Sequence, residues 1–368
     1  MMSHKGKKAL VAMSGGVDSS VAALLSMEQG LDCTGSMLKL FSNEDIDERR
    51  DGSCCSLADA RDARAVALSL GIPFYVFDFK DEFKKRVVRR FIEAYQNGET
   101  PNPCIDCNRF LKFDKLLQRS KELGMDYIVT GHYAQIKYDT GSGRRLLIKG
   151  ADSSKDQSYV LYSMTQEQLS RTIFPLGGLH KPDVREIAAR HGFVNAGKRD
   201  SQDICFVPDG DYAGFIRLHT GGSCPRGRIT DVHGNDLGEH KGIVYYTVGQ
   251  RRGLGLSAET SLYVLEIRAD SNTVVVGTDD ELYGKSLTAR DINLIATDRL
   301  DGVLRVSARI RYGHKEQPAT VCQLDDDTLR VEFDEPQRAI TRGQAVVLYD
   351  GDVVIGGGTI CKGGGDTD

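Results

Sequence analysis

The feature that most constrains this chain is a change of rhythm near residue 210. Before it, short apolar runs alternate with segments whose apolar residues recur at helical spacing. Lys8 to Met13, Cys33 to Phe41, Phe74 to Phe79 and Tyr127 to Thr130 read as strands. Between them, Ser19 to Gln29, Ser56 to Leu70, the basic segment Glu82 to Tyr95, and Arg109 to Leu123 read as helices. Parallel strands need long crossovers, so this alternation predicts an α/β doubly wound parallel sheet. Gln135 to Ile148, with Asp139-Thr140-Gly141-Ser142-Gly143 at its centre, reads as an inserted β-hairpin. Helices are expected over Lys155 to Met164, Gln166 to Arg171 and Pro182 to His191, the last with proline in its first turn.

Past residue 210 glycines punctuate short β-rich runs, among them Tyr263 to Ile267, Thr273 to Val276, Leu304 to Ile310, Ala319 to Leu324 and Ala345 to Tyr349. The expected organisation is a catalytic domain over 1–212, a small β-rich linking domain over 213–283, and a C-terminal β-barrel over 284–361. Residues 362–368 are expected to form a disordered polar tail. Acidic Asp325-Asp326-Asp327 reads as a hairpin tip.

Charge and cysteine content narrow the function classes. Lys plus Arg number 48 against 52 Asp plus Glu, for a net charge of −4, so the chain is not a wholesale polycation. Contact with nucleic acid would have to come from local patches such as Lys84-Lys85-Arg86 with Arg89-Arg90, or Arg226, Arg228, Arg251 and Arg252. No apolar run reaches the roughly 7–15 residues of a signal peptide or the ~20 of a membrane span, so a cytoplasmic protein without membrane partners is expected. Nine cysteines then read as reduced or chemically used thiols.

Ser14-Gly15-Gly16-Val17-Asp18-Ser19-Ser20 lies between a strand and a helix, where α/β sheets bind phosphate. It lacks the Gly-Lys-Ser/Thr ending of a Walker A loop and is not a dinucleotide fingerprint. A lysine-free loop suits a pyrophosphate held by N–H groups and hydroxyls, with Asp18 available to Mg²⁺. These residues resemble the signature of the N-type ATP pyrophosphatases, which cleave ATP to AMP and pyrophosphate while activating a substrate oxygen as an adenylate.

Cys104 and Cys107 stand three apart in Pro101-Asn102-Pro103-Cys104-Ile105-Asp106-Cys107-Asn108, ahead of a helix that favours thiolate. A zinc half-site is the competing reading, although no second pair at matching spacing follows. Cys205, in Asp200 to Val207, could by itself be a buried strand cysteine. Cys54-Cys55 reads either as a metal or redox pair or as helix-start thiols without a task.

Six ordered motifs carry a closer resemblance. They are the glycine loop, Pro101 to Asn108, Thr130-Gly131-His132-Tyr133, Lys155-Asp156-Gln157-Ser158-Tyr159, Asp203-Ile204-Cys205-Phe206 and Tyr246 to Gly255. Together they resemble the tRNA-specific 2-thiouridylases from about Lys8 to Gly358. The resemblance implies ATP-dependent 2-thiolation of a wobble uridine through an adenylated intermediate. Cys205 would carry a persulfide and Cys107 would be the partner nucleophile. Many members have an aspartate where this chain has Cys104. That substitution opens the alternative of a [4Fe-4S] cluster on Cys104, Cys107 and Cys205.

The resemblance further implies nucleotide contacts at Ala12, Met13, Ser14, Gly15, Gly16, Val17, Asp18, Ser19, Leu38 and Gly131. It implies tRNA contacts at Asn102, Pro103, Cys104, His132, Lys155, Asp156, Gln157, Arg311, Tyr312 and Gln344. The implied partners are tRNAs accepting lysine, glutamate and glutamine, and a sulfur donor such as a cysteine desulfurase or a sulfur-relay protein. Two rivals remain at this level: a synthetase acting on a small metabolite, and a sulfur carrier or RNA-binding module without ATP use. The first leaves Cys107 and Cys205 without a task, and the intact glycine loop opposes the second.

Overall fold

The computed structural model describes residues 5–41, 57–200, 204–222 and 224–363. Cys54-Cys55, the acidic stretch around Glu44 to Asp51, and residues 364–368 of the expected tail lie outside the described residues. The chain divides into two compact units: Met1–Val87 with Cys104–Gly210 and Asp352–Val354, and Val88–Pro103 with Asp211–Gly351 and Ile355–Asp368.

The first unit is the predicted parallel sheet. Strands β1 (Lys8–Ala12), β2 (Asp32–Lys39), β3 (Phe74–Asp78), β4 (Tyr127–Val129) and β7 (Thr172–Ile173) lie in the order β3-β2-β1-β4-β7. Every neighbouring pair is parallel. From β1 the chain builds outward through β2 and β3 on one side and later through β4 on the other. The carboxyl end of β1 is therefore the switch point, where open α/β sheets leave a crevice. Its core joins Val11 and Met13 with Val21 and Ala22 of helix Val17–Glu28, Val66 and Ala67 of helix Leu57–Ser69, and Val184 of helix Lys181–Arg190. Antiparallel β5 (Ala134–Tyr138) and β6 (Arg145–Lys149) form the inserted hairpin, and β6 pairs onward with Val353 and Val354.

One expected helix is absent. Over Lys155 to Met164 only the single turn Ser158–Leu161 is helical. Asp156 accepts hydrogen bonds from both the backbone and the hydroxyl of Ser158 at 3.1 and 2.8 Å, and Asp152 does the same for Ser154 at 3.0 and 2.6 Å. These side chains satisfy the backbone locally and compete with helix propagation. The expected fading of helix after 210 also has an exception. Helix Tyr212–His219 starts on Asp211, which accepts from Gly214 N at 2.9 Å.

The second unit contains two all-β modules. In the first, β8 (Gly227–Thr230), β9 (Asp236–His240), β10 (Tyr263–Arg268) and β11 (Thr273–Gly277) form a sheet ordered β10-β11-β8-β9 over Ile229, Tyr246, Val264 and Val274. In the second, β12 (Tyr283–Leu294), β13 (Val303–Arg309), β14 (Gln317–Gln323), β15 (Leu329–Arg338), β16 (Ala345–Asp350) and β17 (Val353–Lys362) follow the order β12-β15-β14-β13-β16-β17. Pairing of β12 with β17 closes this barrel around Val321, Val331, Phe333 and Leu348. Where Asp291 takes φ 53°, the β12–β17 register shifts between Arg290 and Asn293, as a bulge at a barrel rim does. Asp325 to Asp327 is the tip joining β14 to β15, held by Asp327 N donating to Asp325 Oδ1 at 2.8 Å.

Candidate functional site

The glycine loop emerges at the switch point because β1 ends at Ala12 and a helix begins at Val17. Gly15 has φ +79°, and a Cβ there would lie 2.4 Å from the carbonyl oxygen of Asp59. Only glycine fits. Ser19 Oγ accepts from Ser14 N at 3.1 Å and donates to Gly16 O at 2.9 Å, which folds the loop back onto the helix start. Asn195 donates to Gly15 O and to Ser20 Oγ, both at 2.9 Å. The N-cap, Gly16, offers no side-chain cap, so the first N–H groups of this helix point out as donors for an anion. Gly131, just past β4, packs so closely that a Cβ would sit 2.8 Å from the carbonyl carbon of Asp18. Leu38 is buried in β2.

Charge is concentrated around the loop. Lys181 Nζ reaches both oxygens of Asp18, at 2.7 and 2.8 Å, and Tyr133 donates its hydroxyl to Asp18 Oδ1 at 2.8 Å. Burial, and then the Asp18 charge, push the Tyr133 phenol well above its ordinary range, so it stays a donor. Lys181 also reaches Asp200 at 2.8 Å, where Lys155 and Arg185 join it at 2.8 and 2.9 Å. Burial alone would raise the Asp200 carboxyl, but hydrogen bonds from Lys155 and Lys181 outweigh it and hold the pKa at about 2. Lys198 braces the loop from the other side, 2.6 Å from both Asp59 and Asp62 and 3.3 Å from Gly15 O. Burial disfavours its ammonium, yet the two carboxylates prevail and raise its pKa.

The remaining predicted residues divide by environment. Asp156 and Gln157 make local backbone contacts: Asp156 accepts from Gly150 N and Ser158, and Gln157 Oε1 accepts from Tyr133 N at 3.0 Å. Lys155 belongs to the charge cluster. His132 is 7% exposed, lies between the rings of Phe113 and Phe174, and meets Thr130 Oγ1 through Nδ1 at 2.7 Å. Burial, and then nearby Lys112, drive its pKa well below the ordinary histidine value, so the imidazole is neutral. Asn102 is partly exposed and Pro103 is buried.

Cys104 is exposed on helix Pro103–Asp106, and half-buried Cys107 opens the wide π-type turn Cys107–Lys115. Such turns recur at functional sites because they re-aim side chains. Cys205 is half-buried in a turn rather than in a strand, and the next residue, Phe206, packs edge-on against Phe83 at 5.5 Å. Among the described residues no three His, Cys, Asp or Glu side chains are grouped as metal ligands.

Arg311, Tyr312 and Gln344 belong to the second unit. Arg311 donates to Ala339 O at 3.0 Å and to Thr341 Oγ1. Tyr312 is 41% exposed with the Arg309 guanidinium 5.4 Å from its ring centroid, and Gln344 donates to Thr100 O at 2.7 Å. Lys84, Lys85, Arg86, Arg89, Arg90, Arg251 and Arg252 are exposed. Among the described residues no helix is long and apolar enough to cross a membrane.

Sequence reasoning missed Lys181, Asn195 and Lys198 as partners of the loop, and Asp200 and Arg185 as members of the charge cluster beside it. They follow Asp18 by more than a hundred residues, and no spacing rule links them to it. The one legible signal was Lys181-Pro182 opening a helix.

Comparison with known proteins places this geometry. Residues 7–209 match the family described as a tRNA methyl transferase HUP domain, 214–278 its PRC-barrel domain, and 284–360 an aminomethyltransferase β-barrel domain. The chain is 49% identical over 356 residues to the tRNA-specific 2-thiouridylase MnmA of Clostridioides difficile, covering 97% of this chain and 98% of that protein. It is 50% identical to the protein of the same name from Acetivibrio thermocellus, covering 96% and 99%.

The chain belongs to the tRNA-specific 2-thiouridylase family.

Solved structures resemble it more distantly. A 4-thiouridine synthetase–RNA complex with bound ATP shares 19% identity over 55% of this chain and 46% of that one, with a TM-score of 0.37. The NMN synthetase of Francisella tularensis shares 15% identity over 60% and 79%, with a TM-score of 0.33. As a 2-thiouridylase family member the chain is an enzyme, a tRNA sulfurtransferase.

Proposed function

We propose that this enzyme thiolates C2 of the wobble uridine in tRNAs accepting lysine, glutamate and glutamine, consuming ATP. The observation that carries this reading is near-complete coverage by thiouridylase relatives at about half identity. The glycine loop and its converging cations provide a matching place for a triphosphate. Uridine O2 attacks the α-phosphorus, the α–β bond breaks, and pyrophosphate leaves toward the helix start and the cations. A Mg²⁺ ion arriving with the nucleotide would take Asp18 as an oxygen ligand and supply charge neutralisation.

The adenylate turns O2 into a leaving group. The terminal sulfur of a Cys205 persulfide attacks C2, and AMP departs with O2. Cys107 thiolate then attacks Cys205 Sγ, which breaks the S–S bond, leaves sulfur on C2 and forms a Cys107–Cys205 disulfide. A thiol reductant resets the pair, and a persulfide donor such as a cysteine desulfurase or relay protein reloads Cys205. Thiols alone serve this route.

The test is anaerobic thiolation of unmodified tRNA with ATP, Mg²⁺ and a persulfide source, with 2-thiouridine read by mass spectrometry. Cys205→Ser is expected to lower turnover by about 10³-fold or more while AMP formation persists. Equal thiolation by the variant would overturn the persulfide route. Absence of thiolation by folded, ATP-cleaving protein would overturn the substrate assignment.

A further inference from the structure

The carbonyl oxygen of Gly15 is gripped by two side chains. Asn195 Nδ2 donates to it at 2.9 Å and Lys198 Nζ at 3.3 Å, which engages both of its lone pairs. The same Asn195 amide donates to buried Ser20 Oγ at 2.9 Å, so one side chain spans the loop and the first turn of its helix.

A trans peptide unit is planar, and its N–H points opposite to its C=O. The Gly15–Gly16 unit is trans. Holding Gly15 O against Asn195 and Lys198 therefore turns the Gly16 N–H away from both. Among the described residues nothing accepts from that N–H. Gly16 is the N-cap of helix Val17–Glu28, so its N–H joins the donors at the helix start.

Attraction of charge does not explain the grip. Lys198 meets the carboxylates of Asp59 and Asp62, each at 2.6 Å, and one ammonium against two carboxylates leaves the trio negative. Such a group repels a phosphate. Lys198 acts as a tie that fixes Gly15 O to helix Leu57–Ser69, whose Asp59 carbonyl already leaves no room for a Cβ on Gly15. Stability does not explain Asn195 either. It is 2% exposed, and among the described residues its Oδ1 is buried without a hydrogen-bond partner. An apolar side chain would avoid that cost.

We infer that Asn195 and Lys198 are positioning residues for the nucleotide's phosphates, acting through the Gly15–Gly16 peptide to hold the Gly16 N–H as a preformed donor. The inference rests on the ATP-using reading above and deepens it. Both residues work through the backbone and not on the reacting atoms. A donor aimed before its ligand arrives needs no ordering when the ligand binds.

The experiment is calorimetry on the full-length protein with an ATP analogue carrying a methylene between the α and β phosphates. It reads affinity and stoichiometry separately. One variant is Asn195→Leu, which is neutral and close in size. The other combines Lys198→Met with Asp62→Asn, removing one charge of each sign. Each is expected to bind the analogue about tenfold more weakly at unchanged stoichiometry. In AMP formation the KM for ATP is expected to rise by a similar factor while the KM for tRNA stays the same. Wild-type affinity in both variants would overturn the inference. Wild-type affinity at reduced stoichiometry would overturn it as well, since that marks a loss of folded protein and not of a donor's aim. A wild type that does not bind the analogue would instead remove the nucleotide reading on which the inference stands.

Discussion

The glycine-loop side of the first unit and the barrel of the second are stabilised by opposite means. In the barrel, neighbouring strands alternate buried and exposed residues, and Val321, Val331 and Phe333 meet across adjacent pairings. Around the loop, polar and charged side chains from positions 59, 133, 155, 181, 195, 198 and 200 converge on a few backbone atoms and carboxylates. The barrel gains stability from apolar area spread over many residues. The loop depends on a few polar contacts, each costly to leave unmade. The difference teaches that mutation should separate stability from nucleotide chemistry along this line.

The largest effect on stability is expected in the barrel. Phe333→Ala, at a fully buried ring, should cost about 3–5 kcal/mol in urea unfolding of the affected transition. Nucleotide affinity of the still-folded protein should be unchanged in calorimetry. A matching loss of affinity would break the comparison.

Gly15→Ala should reverse the pattern. Its φ of +79° and the clash with Asp59 O allow no relaxation without moving the loop. A stability loss of about 1–3 kcal/mol is expected from the backbone strain, together with loss of AMP formation. Retained AMP formation would show that the loop is not the phosphate cradle.

The smallest effect is on pH dependence. A carboxyl held at about 2 in the folded chain contributes stability that is full above its unfolded value of about 3.9 and is lost as pH falls toward 2. The Tm gap between wild type and Asp200→Asn should therefore narrow between pH 5 and pH 2. A constant gap would mean that the Asp200 charge does not stabilise the fold.

Much of the fold was legible because periodicity is local. The strand-to-helix alternation of the first unit, the hairpin and most barrel strands follow from patterns a few residues long. Where the reading failed, a side chain out-competed the backbone pattern: Asp152 and Asp156 break the helix expected over Lys155 to Met164. The barrel's β12 was missed because Gly284 and the bulge at Asp291 interrupt its alternation.

The site was legible only in its local half. Sequence alone determined the strand–glycine loop–helix unit, the Cys104–Cys107 spacing and the place of Cys205 in a motif, since these are matters of adjacency. Only the tertiary structure decided that Lys181 would serve a loop that has no lysine of its own. It likewise placed Asp200 under three cations and closed His132 between two rings. Complementary charges can be satisfied by any pair that the fold brings within about 3 Å, and distance along the chain does not enter that condition.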